Sequence, residues 1–83
     1  MSTCAARARK RARKAGDKLT RHHRVEAVDV LAPDTDPTDR WTVELVLCAE
    51  GVPHDVLDLL GSYQLTLRTA QPQGPYWQAV AVA

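Results

Sequence analysis

The chain has 83 residues, 45% hydrophobic and 25% charged, the make-up of one small globular domain rather than a collagen, a mucin or a wholly disordered chain. No apolar run approaches the ~18–20 residues of a membrane span, and the basic start has no apolar stretch behind it, so it does not read as a secretory signal. A cytoplasmic protein without membrane contact is expected, and its two cysteines build neither a disulfide framework nor a four-ligand zinc site by themselves.

The formal net charge of +1 conceals two opposed parts. Residues 1–24 hold nine of the eleven cations: Arg7, Arg9, Lys10, Arg11, Arg13, Lys14, Lys18, Arg21 and Arg24. Only Asp17 opposes them, which leaves a formal +8. Residues 25–83 set Arg40 and Arg68 against nine acids, a formal −7. Such asymmetry points to a polyanion partner or to a match within the molecule.

Ile, Phe and Asn are absent, Arg outnumbers Lys eight to three, and no Lys follows Lys18. An acidic, Lys-free body of Ala, Val, Asp and Thr resembles small proteins of salt-loving archaea with GC-rich genomes. The resemblance is one of composition and implies no activity. It matters physically, because molar salt shortens the screening length to about 3 Å and weakens exposed ion pairs.

The chain reads as a basic helical extension over residues 1–22 and a ββαββ body over residues 23–83, one domain overall. A helix is predicted from Thr3 to Arg21, with Ser2 or Thr3 as its cap. Ala5, Ala8, Ala12, Ala15 and Leu19 recur three and four apart, forming one narrow stripe, which His23 joins if the helix runs that far. Gly16 lies beside that stripe, where a backbone can approach closely. Cations four apart, such as Arg9 and Arg13, repel by a few tenths of a kcal/mol each. The helix therefore needs an apolar or anionic neighbour.

The first strand is predicted over His23–Leu31, with imperfect alternation. An acidic turn with two prolines follows, then a well-alternating strand over Arg40–Cys48 with Trp41, Val43, Leu45 and Leu47 on one face. Pro53 opens a short helix with Val52, Val56, Leu59 and Leu60 inward, and Gly61 suits its C-terminal cap. A third strand, Tyr63–Thr69, has Tyr63, Leu65 and Leu67 inward. Gln71-Pro72-Gln73-Gly74-Pro75 reads as a turn, and Tyr76–Val82 as the last strand. The expected fold is α+β: a two-layer sandwich, αββαββ, on a mostly antiparallel four-stranded sheet.

On the last strand, Tyr76, Val80 and Val82 share one face, and Trp77, Ala79 and Ala81 the other. With the valines inward, Trp77 faces out beside Val46 and Cys48. That outer face would be covered by the alanine stripe of the first helix or by a second chain, which makes Trp77 and the stripe interface candidates.

The nine N-terminal cations suit phosphate contacts, which give affinity without sequence readout. Their other reading is a helix that docks on an acidic surface, its own or a partner's. No base-reading motif accompanies them. Cys4, His22, His23, Cys48 and His54 match no compact zinc spacing, and Asp34, Asp36 and Asp39 lack the glycine and glutamate of a calcium loop. The four glycines form no phosphate loop, and neither serine sits in a nucleophile elbow. Glu26 and Glu44 can meet across the first hairpin, which by itself says little about catalysis. The expectation is a non-enzymatic interaction or structural protein, dimeric and without cofactor, with nonspecific nucleic-acid binding as the alternative.

Overall fold

The computed structural model describes the backbone of residues 2–33 and 40–83, and the side chains from Arg7 onward within those ranges. The acidic turn Asp34–Asp39 and the side chains of Cys4 and Ala5 lie outside the described residues. The element order is α1 (Ser2–Thr20), β1 (Val25–Leu31), β2 (Thr42–Leu47), α2 (His54–Ser62), β3 (Thr66–Gln73) and β4 (Tyr76–Val82). This is the predicted αββαββ order, with two helices on a four-stranded antiparallel sheet.

The strands lie in the order β1-β2-β4-β3. β4 is antiparallel to both β2 and β3, so β2 and β3 run in the same direction with β4 between them. α2 therefore belongs to a crossover rather than to a hairpin.

Cross-strand partners share a face. The register sets Val28, Leu45, Ala79 and Ala70 in one row and Val30, Val43, Ala81 and Leu67 in the next. A third row holds Val25, Leu47, Trp77 and Pro72. Both helices cover this face. Ala12, Ala15 and Leu19 of α1 join Val56 and Leu60 of α2, Leu65, and the buried strand residues in one core. α1 is thus part of the folded unit.

A bulge at Glu26 lets Val25, Val28 and Val30 all point inward, which explains the imperfect alternation of β1. A second bulge, at Arg68, keeps Leu67 and Ala70 on the same sheet face, Leu67 half-buried against the core and Ala70 exposed at the edge strand.

Three expectations are corrected. Ala79 and Ala81 are fully buried, with Trp77 half-buried beside them, while Val80 and Val82 face the other way. Their partners Val43, Leu45 and Leu47 already fill the inner layer, so small residues fit opposite them. α1 does not cover the second sheet face, because it packs on the same face as α2. β3 begins at Thr66 and runs to Gln73, leaving Gly74-Pro75 as the turn; Gly74 has φ +62°, as a glycine-first mirror turn requires.

α2 also ends differently from expectation. Gly61 lies inside the helix, and the left-handed residue is Gln64, at φ +59°. Leu65 N–H donates to the Leu60 carbonyl and Gln64 N–H to the Gly61 carbonyl, both at 2.9 Å. These are the two bonds of a Schellman motif, and buried Leu60 and Leu65 supply its apolar contact.

Candidate polyanion interface

The outer face of α1 is built by exclusion. The stripe through Ala8, Ala12, Ala15 and Leu19 turns toward β1 and β2, with Ala8 half-buried and the other three fully buried. At 100° per residue, the opposite side carries Lys10 and Lys14 with Asp17 beside them, and Arg21 follows in the turn after the helix. Arg9 and Arg13 flank one side, and Arg7 and Lys18 the other. Each of these cations is exposed, as is Arg24 beyond the helix end.

Arg11 departs from the predicted set. It is half-buried, and its Nε is shielded from solvent without a hydrogen-bond partner. No described ion pair joins an α1 cation to a carboxylate; the one acid–base pair among the described residues is His22–Asp55. The helix is held by apolar packing, and its charge is presented outward.

Gly16 marks a close approach of α1 to β1. A Cβ built there would stand 2.8 Å from Val30 Cγ2 and 3.6 Å from Val28 Cγ1. Only a glycine lets the helix backbone settle this low on β1.

The far end of α1 is tied to α2. His22 Nδ1 accepts the Arg24 N–H at 3.1 Å, which places the ring hydrogen on Nε2. That Nε2–H donates to Asp55 Oδ2 at 2.7 Å. The hydrogen bond from His22 is the main reason the Asp55 carboxyl titrates below its ordinary value. Asp55 Oδ1 accepts the Val56 N–H at 2.9 Å, serving the first turn of a helix whose Pro53 cap offers no side-chain bond. His23 is exposed, stacks on His22 and does not join the α1 stripe.

The second face of the sheet is open to solvent. Its rows are Leu31, Thr42, Val82 and Thr66; then Asp29, Glu44, Val80 and Thr69; then Ala27, Val46, Gln78 and Gln71. Glu44 therefore stands opposite Asp29, not Glu26, which occupies the bulge. Arg40 and Arg68 line a shallow groove on this face with Glu44 and Val80.

Other chemistry finds no assembled site. Among the described residues, no three His, Cys, Asp or Glu side chains gather as metal ligands. No described helix is long and apolar enough to cross a membrane. Comparison with known protein families, curated proteins and solved structures gives no match for this chain.

Proposed function

We propose that the protein is a non-enzymatic, cytoplasmic binding module that grips a polyanion through the outer face of α1, with the phosphate backbone of nucleic acid as its ligand class. The observation that carries this reading is the two-sidedness of α1. An apolar stripe holds the helix to the body, and its exposed cations have no described carboxylate partner.

Chemistry favours phosphate over a folded acidic protein. Protein interfaces are built around a buried apolar or aromatic centre. The outer face of α1, from Arg7 to Arg21, has no such residue between its charges. Guanidinium groups, in contrast, match phosphate oxygens with a two-pronged fork. Nothing in the face reads bases, so the binding is indifferent to sequence.

The test is titration of a labelled 20-base-pair duplex, a single strand of equal length and polyaspartate, over a range of salt. The expected result is nucleic-acid binding at low salt that weakens steeply as salt rises, by about 0.9 log units per log unit of salt for each phosphate neutralised. Replacing Arg9, Arg13, Lys14 and Arg21 with Gln flattens that slope and leaves the fold intact, because all four are exposed. Binding of polyaspartate as tightly as nucleic acid at equal salt, or binding of nothing at low salt, overturns the reading.

A further inference from the structure

The open sheet face carries a local conflict. Asp29 and Glu44 are direct cross-strand partners, so two like charges stand about 5 Å apart at Cβ, an arrangement that costs stability. The same row continues through Val80 to Thr69, with bulged Arg68 at its far edge. Arg68 is exposed, as is Asp29. The β1–β2 half of the face therefore carries Asp29 and Glu44 with Arg40 at its end, the other half carries Arg68 across the groove from Glu44, and Val46, Val80 and Val82 lie half-buried on the same face.

We infer that this face receives a second copy of the same chain, packed sheet to sheet about a two-fold axis parallel to the strands. That axis lays β1 over the partner's β3 and β2 over its β4, given the order β1-β2-β4-β3. Asp29 of each copy then meets Arg68 of the other, and each Glu44 lies over a valine rather than over another acid. A two-fold axis perpendicular to the strands stacks acid on acid, so charge selects the first arrangement. Two twisted sheets pack face to face in this way at about 10 Å. An isologous contact of this kind makes both ion pairs at once.

Size sets its strength. Four strands about 4.8 Å apart and some seven residues long give a footprint of roughly 450 Å² per copy, which belongs to weak, reversible association. The inference is independent of the α1 reading, because α1 lies on the other side of the sheet.

Sedimentation velocity from about 10 μM to about 1 mM in low salt is the test. The wild-type chain is expected to pass from monomer toward dimer across this range. Asp29→Arg sets Arg against Arg twice in the homodimer, and Arg68→Asp sets Asp against Asp twice. Each variant alone should associate about tenfold more weakly. Mixed in equal amounts, they restore both opposite-charge contacts, and a heterodimer of wild-type strength is expected. Circular dichroism confirms that these exposed substitutions leave the fold unchanged. Monomer mass throughout the range, or self-association untouched by either substitution, overturns the inference.

Discussion

A methyl group added to Gly16 would stand 2.8 Å from Val30 Cγ2, closer than carbon atoms approach without displacement. Helix propensity and packing oppose each other here. Alanine is better than glycine inside a helix by about 1 kcal/mol, but overpacking a layer costs about 1–3 kcal/mol. Gly16→Ala is expected to lose about 1 kcal/mol net in urea melts. In a Val30→Ala background the same change should gain about 1 kcal/mol, because the obstructing methyl is gone. Equal effects in both backgrounds refute the close approach.

Gln64 holds a backbone conformation that glycine adopts freely, at φ +59°. A side chain there costs about 1–2 kcal/mol, part of which glycine gives back through its freer unfolded state. Gln64→Gly should therefore stabilise the domain by about 0.5–1 kcal/mol and raise Tm by several degrees, about 4–8 °C per kcal/mol at this size. Gln64→Val should destabilise. Thermal melts of the two variants give opposite signs if the Schellman cap is correct.

The carboxyl of Asp55 titrates below its ordinary value chiefly because His22 Nε2–H binds it. A carboxyl with a lowered folded pKa stabilises the fold above its unfolded pKa, and that contribution fades as pH falls through the folded value. Asp55→Asn should be less stable than the wild type near neutral pH. The difference should shrink to nothing below the usual carboxylate range. Urea midpoints followed from pH 7 to pH 2 check this, and a gap that persists to pH 2 rejects the tie.

The facing of β4 is open to direct trial. Ala79 is fully buried against the helices, and Val80 lies half-buried on the open face. Ala79→Asp buries an unpaired charge and should abolish cooperative unfolding. Val80→Thr should change monomer stability by less than about 1 kcal/mol, as surface substitutions do. The reverse outcome would restore the facing that the sequence suggested.

Much of the architecture was legible. Trp41, Val43, Leu45 and Leu47 alternate cleanly, and three of them are fully buried. The spacing of Ala12, Ala15 and Leu19 marks the seated face of α1. β4 was ambiguous because both of its faces are apolar, so period-two alternation cannot choose between them; the size of the side chains opposite decides. β3 shows almost no alternation, and it is a strand because β4 pairs with it. As an edge strand it tolerates Pro72. The charge of α1 was evident from composition, but the half-burial of Arg11 and the facing of Asp29 and Glu44 depend on packing and register. Neither appears in a linear reading.

The strand order has a consequence for biosynthesis. β4 is the last strand in chain order, yet it lies between β2 and β3 and is hydrogen-bonded to both. Until residues 76–82 emerge from the ribosome, β3 has no neighbour to pair with and the inner layer lacks Ala79 and Ala81. A nascent chain halted at Pro75 would hold only the first hairpin and its helices, so this domain closes late rather than step by step.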